Sequence, residues 1–171
     1  MRALSEIGAM VHKAALGAGL PLGQAEDLGR VAIYLAGTGG DVDVISAALK
    51  DHTAPQVVWE DQKLRVTAGA PGLVAPIIVD AFAMGITRAE LAGATQAGLV
   101  RAFLAAAGYD VIIDGKAVSL NAKMPPDTPV GPVAIAESIW TGWAAFAAKT
   151  YVPASAASRL AGAGAGLTDN D

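Results

Sequence analysis

Three groups of residues in this chain have types and spacings that could do chemistry. The first runs from Ser155 to Gly166: Ser155 is placed to cap a short helix, Ser158 and Arg159 follow, and Gly162, Gly164 and Gly166 leave the backbone bare. Free amides at a helix amino terminus hold anions, and an arginine fork grips carboxylate or phosphate through two bonds. The segment therefore reads as an anion clamp. No lysine follows the glycines, which excludes a P-loop, and no Gly-x-Gly-x-x-Gly follows a strand, which excludes a dinucleotide fingerprint. The same small residues also suit an extended arm packed closely on its own domain or on a partner chain, and the arm is the reading adopted.

The second group, Asp169, Asn170 and Asp171, gathers oxygen ligands of the kind hard cations take. A calcium loop spreads such ligands over about twelve residues and closes with glutamate. This cluster does neither, so it reads as solvated charge with no metal site, and Asn170 as a docking group. The third group lies near the amino terminus. Lys13 and Glu26 fall on adjacent predicted helices, where they form either a proton-transfer couple or an ordinary surface ion pair. His12 is a candidate base, but no serine or aspartate partner stands at a matching spacing. Trp140, Trp143, Phe146 and Tyr151 recur at roughly helical spacing, as an aromatic pocket wall or, more simply, as a core stripe.

Composition narrows the classes. The 171 residues hold no cysteine and two histidines, which excludes disulfides, thiolate metal sites, cysteine nucleophiles and a histidine-rich zinc site. Charged residues make up 16%, against roughly 25% in ordinary soluble domains. The net charge of −4 and the lack of a basic run argue against nucleic acid. Mean hydropathy is +0.44, yet the longest uncharged stretch, Val66 to Val79, is interrupted by Pro71 and Pro76 and is too short to span a bilayer. Glu6, His12 and Lys13 break any signal-like apolar run. The expectation is a cytoplasmic protein without membrane or nucleic-acid partners and without a cofactor. Its sparse surface charge suggests homo-oligomer contacts.

These groups need elements to position them. Leu4, Ile7, Val11 and Ala14 recur at helical spacing up to Gly17 and Gly19; Pro21 opens a second helix, with Leu28, Val31, Ala32 and Leu35 as its stripe; Asp41 to Lys50 forms a third. Val57–Trp59 and Leu64–Val66 flank a polar turn, and Val111–Ile113 and Ala117–Leu120 flank Asp114-Gly115, so two hairpins are predicted. Between them Pro76 fits the first turn of a helix ending at Gly85, and Thr87-x-x-Glu90 reads as a capping box that opens one helix or two toward Gly108, since Gly93 and Gly98 weaken the middle. After a proline-rich loop from Met124 to Pro132, Ile135, Ile139, Trp143, Phe146 and Ala147 mark a long helix. The predicted class is α+β in one domain: a helical part over 1–52, a core over 53–150 with both hairpins in one antiparallel sheet, and a carboxy-terminal arm over 151–171.

Both ends of the chain resemble a bacterial family of uncharacterised proteins, a domain of unknown function. The closing residues carry the likeness as Tyr151 to Ser155, Ser158-Arg159, Gly162 to Gly166 and Asp169 to Asp171; the opening residues carry it as Lys13-Ala14-Ala15, Gly17-Ala18-Gly19, Gly23 and Glu26. Leu16 and Leu22 depart from the pattern, standing where arginine and tryptophan are expected. The resemblance implies no activity. The leading expectation is a non-catalytic small-molecule-binding or assembly protein whose arm completes an interface or pocket. The alternative is a small enzyme on an anionic metabolite, held by Arg159, Ser155 and Ser158 while Lys13 or Glu26 moves a proton.

Overall fold

A computed structural model describes residues 1–91 and 97–150. Three helices come first: α1 (Leu4–Ala18), α2 (Leu22–Thr38) and α3 (Asp43–Ala48). Gly19 and Gly39 end the first two in the left-handed conformation, at φ 95° and 76°, and their amides satisfy the last carbonyls of each helix. Next come β1 (Gln56–Glu60), β2 (Lys63–Ala68), α4 (Pro71–Ala83), β3 (Arg88–Leu91), α5 (Ala97–Ala106), β4 (Tyr109–Asp114), β5 (Ala117–Lys123) and α6 (Glu137–Ala147), which runs into a 3-10 turn at Ala148–Thr150.

The α+β class and the amino-terminal helices are as expected, and both hairpins form: β1 with β2 through Asp61-Gln62, and β4 with β5 through Gly115-Lys116. They share one sheet, but that sheet is mixed. Its order is β1-β2-β3-β5-β4, with β3 parallel to β2 and antiparallel to β5. The residues predicted to cap a helix at Thr87–Glu90 instead enter this strand. The Thr87 carbonyl accepts from the Leu120 amide at 2.9 Å, and Glu90 lies beside Arg65 in the register. Ladder bonds on both sides outweigh a local capping preference. The crossover helix α4 makes the parallel pairing possible. It begins at Pro71, so Pro71 takes the first-turn position expected of Pro76, which stands inside the helix.

A second correction concerns α6. It spans 11 residues and adds only one 3-10 turn, so it is not long. Ile135 precedes it, because the chain from Met124 onward is an extended strap tied to the helices. The Val130 amide donates to the Gly37 carbonyl at 3.0 Å, and Val133 and Arg2 exchange amide bonds at 2.7 and 3.0 Å. Leu64, Val66, Ala89, Leu91, Val111 and Val118 turn one sheet face onto α4 and α5, α2 packs on those two, and α1 lies between α2 and α6. Trp143 is wholly buried and its indole N–H donates to Ser46 Oγ at 3.1 Å; Trp140 is buried beside it, Phe146 is partly buried, and Tyr151 lies outside the described residues, so the two tryptophans are core.

Candidate functional site: the α1–α2 groove

Helices α1 and α2 approach closely because glycines meet where they cross. A methyl group on Gly29 would stand 3.0 Å from the Gly8 carbonyl oxygen, and one on Gly8 would stand 2.6 Å from Ile33 Cδ1. The first would press on backbone and the second would displace the Ile33 side chain. Above this contact lies an open groove of about 480 Å³, floored by Gly8, Ala9, Gly29 and Ile33 and edged by Ser5, His12, Glu26 and Arg30.

The polar edge is mixed. His12 is half-buried, and its Nε2 is buried without a hydrogen-bond partner among the described residues. A buried ring nitrogen lacking a partner loses its hydration uncompensated. Arg30 extends into solvent and pairs with Asp27 one turn earlier on α2. Glu26 is exposed.

Of the residues singled out in the sequence, Glu26 edges the groove and Lys13 does not. At about 100° of helical rotation per residue, Lys13 points away from His12, toward the face of α1 on the way to Gly17. It is exposed there. His12, not Lys13, is therefore the titratable neighbour that shares the groove with Glu26. Tyr151, Ser155, Ser158, Arg159, Asp169 and Asn170 lie outside the described residues. The chain nevertheless approaches the groove from a defined place. A methyl group on Gly17 would stand 1.9 Å from the Phe146 carbonyl oxygen, so α6 crosses the carboxy-terminal half of α1 in backbone contact, and the turn ending at Thr150 packs on α1 as well.

Sequence reasoning missed two features. A cleft of about 230 Å³ collects Tyr34, Arg101, Asp110 and Asp127 beneath the proline-rich strap; the Tyr34 hydroxyl donates to Asp127 at 3.4 Å and Arg101 to the Val111 carbonyl at 3.1 Å. Burial, then the Asp127 charge and hydrogen bond, raise the Tyr34 phenol above its ordinary range. Its residues come from four separate stretches, so no local spacing announces it. On the outer sheet face, Lys63 bridges Glu60 at 3.4 Å and Glu90 at 2.8 Å, while Arg65 reaches the same two carboxylates. The hydrogen bond and charge of Lys63 hold the Glu90 carboxyl below its usual value, helped by Arg65 and Arg88. Among the described residues no group of three or more acidic or histidine side chains could hold a metal ion, and no helix is long and apolar enough to cross a membrane.

Residues 2–43 match a family described as a protein of unknown function (DUF3726). That match covers α1 and α2 entirely and reaches the first residue of α3. Every residue that lines the groove falls inside it. The match also spans the opening residues that carry the likeness to an uncharacterised family; the closing motif lies beyond it. No curated protein and no solved structure matches the chain.

Proposed function

We propose that this is a non-catalytic, cytoplasmic binding or assembly protein in which the arm of residues 151–171 crosses α1 and completes the α1–α2 groove as a pocket for a small anion. The observation that carries this reading is the contact of α6 with α1 at Gly17, which starts the arm beside the groove-bearing helix. From Gly17 to Gly8 is roughly 14 Å along the helix axis, a span that about five extended residues cover. An arm taking that path passes Lys13 first and reaches His12, Glu26 and Arg30 next. Its own charge suits that path: Arg159 complements Glu26. Ser155 and Ser158 can supply a hydroxyl to the His12 ring nitrogen. In an assembly the arm of a second copy would fill the same place.

Amide exchange on the full chain tests the arm directly: residues 151–171 should be protected, and exchange at unfolded-chain rates would remove the proposal. A variant ending at Thr150 tests the groove. With only His12 and His52 in the sequence, the two imidazoles are easily told apart by NMR. Truncation should move His12 and leave His52 in place. If neither moves, the arm does not reach the groove.

One observation favours a second reading, a small enzyme acting on an anionic metabolite. The partnerless His12 nitrogen and the Glu26 carboxylate edge one cavity, a setting in which a ring nitrogen could exchange a proton with a bound substrate. Arg159 would then be the anion clamp. A thermal-shift screen of anionic metabolites on the native chain and on Arg159→Ala distinguishes them: substrate turnover would establish the enzyme, stabilisation without turnover the binding protein.

A further inference from the structure

The two edge strands of the sheet differ in a way that points to a partner. In β1 consecutive residues Val58 and Trp59 are 50% and 49% exposed. Neighbouring residues of a strand face opposite sides of a sheet, so a protein docking on either face would cover one and leave the other. Only a strand added at the edge covers both.

The hairpin fixes which backbone groups are available. Glu60 and Lys63 flank the two-residue turn and are paired, and hydrogen-bonded pairs alternate with non-bonded ones along an antiparallel ladder. Glu60 and Val58 therefore spend their amides and carbonyls on β2, and Val57 and Trp59 direct theirs outward. An antiparallel copy of β1 centred on Val58 sets Val57 against Trp59 of the second copy and Trp59 against its Val57. All four outward-facing groups of each chain are then used. The two Val58 side chains meet as a non-bonded pair, the closest side-chain approach in a sheet. Glu60 falls opposite Gln56, so no like charges oppose each other.

The same operation at the other edge fails. Centred on Ile112, which is also exposed, an antiparallel copy of β4 would set Asp110 against Asp114 twice. Like charges directly opposite are destabilising, and charges on an edge strand are a standard protection against such pairing. Charge therefore selects β1 over β4, and self-pairing needs no sequence beyond this chain. We propose that two copies associate through β1, antiparallel about Val58, to continue the five-stranded sheet across a twofold axis. This interface uses no residue of the α1–α2 groove.

Light scattering and sedimentation on the full chain at micromolar concentrations should report a dimer. Trp59→Lys, which puts a charge on the edge and leaves the β1–β2 bonds intact, should weaken association at least about tenfold with an unchanged circular dichroism spectrum. Val58→Cys tests the register without relying on disruption. The chain has no other cysteine, and a non-bonded pair brings Cα atoms to about 4.5 Å, within disulfide range. Mild oxidation should yield a covalent dimer on a denaturing gel. A native chain that stays monomeric overturns the proposal, even if it captures an unrelated extended peptide. So does a dimer indifferent to Trp59→Lys, or a Val58→Cys variant that fails to cross-link while the native chain is dimeric.

Discussion

Glycine plays two opposite roles in the helices, and single substitutions separate them. Gly17 is where α6 touches α1, and a methyl group there would overlap the Phe146 carbonyl oxygen. Neither partner is a flexible side-chain tip, so relief requires the helices to move. Gly17→Ala should cost about 2–3 kcal/mol in urea unfolding, within the range for overpacked sites. Gly142 lies on α6 with nothing near its added carbon. Gly142→Ala should therefore stabilise the fold by about 0.5–1 kcal/mol, since alanine restricts the unfolded chain and prefers helix. Opposite signs at two helical glycines are the expected outcome. If Gly17→Ala unfolds at the native urea concentration, the α1–α6 contact is loose enough to take a methyl group. The sequence reading took Gly17, with Gly19, as a helix stop, whereas α1 runs through Gly17 to Ala18; the contact that sets Gly17 apart is made by a helix more than a hundred residues away.

Strand β3 is the element on which the sheet depends. It has four residues, and it alone joins the two hairpins. Its charged partner set is on the outer face, where Glu90 accepts from Lys63 on β2. The Glu90 carboxyl titrates below its ordinary value of 4.5, so the folded state holds its proton less tightly than the unfolded chain. That contribution is present above the ordinary value and disappears as pH falls through the lowered one. The unfolding midpoint of the native chain should fall more steeply than that of Glu90→Gln as pH drops below about 5. Parallel profiles would mean that the ion pair is not felt by the fold. Helices α1 and α2 and both hairpins were legible because local signals agreed: Gly19 and Gly39 as stops, Pro21, and the Asp114-Gly115 pair, although the turn falls one residue later, on Gly115-Lys116, with Asp114 paired in β4. β3 was not, because Arg88-Ala89-Glu90-Leu91 carries a helical composition and becomes a strand only when wedged between β2 and β5. The extent of α6 was misread for a related reason. Ile135 fits the apolar period, yet the strap before Glu137 is held extended by Arg2 and Gly37, which no local pattern reveals. Glu26 and His12 were visible as chemistry-bearing residues, but the groove between them is a product of Gly8 and Gly29 meeting.

At the scale of the whole molecule, the proline-rich strap ties distant parts of the chain together. It leaves β5, passes Tyr34 and Gly37 on α2, bonds to Arg2, and delivers α6 to α1. Arg2 reinforces the end of that path: it bonds Glu6 at 3.0 Å, and its guanidinium lies 4.2 Å from the centre of the Trp140 ring. The Tyr34 phenol is raised above its ordinary value of 10.0, so the folded state keeps this proton longer than the unfolded chain. The associated stability is complete below the ordinary value and is lost as pH climbs through the raised one. Tyr34→Phe should flatten the alkaline decline of the unfolding midpoint and leave neutral pH nearly unchanged. An identical decline in both proteins would show that the strap is not sensed through this residue.

The three tryptophans stand at graded depths: Trp59 is 49% exposed, Trp140 8% and Trp143 0%. Their fluorescence therefore resolves the molecule into zones without any added dye. In the monomer iodide should quench the red-shifted emission of Trp59 first and scarcely reach the other two, whose rings lie 6.3 Å apart; association through β1 should shield Trp59. Loss of the Trp143 contribution would signal the moment the centre is flooded, so one cuvette follows the periphery and the interior separately as the chain melts.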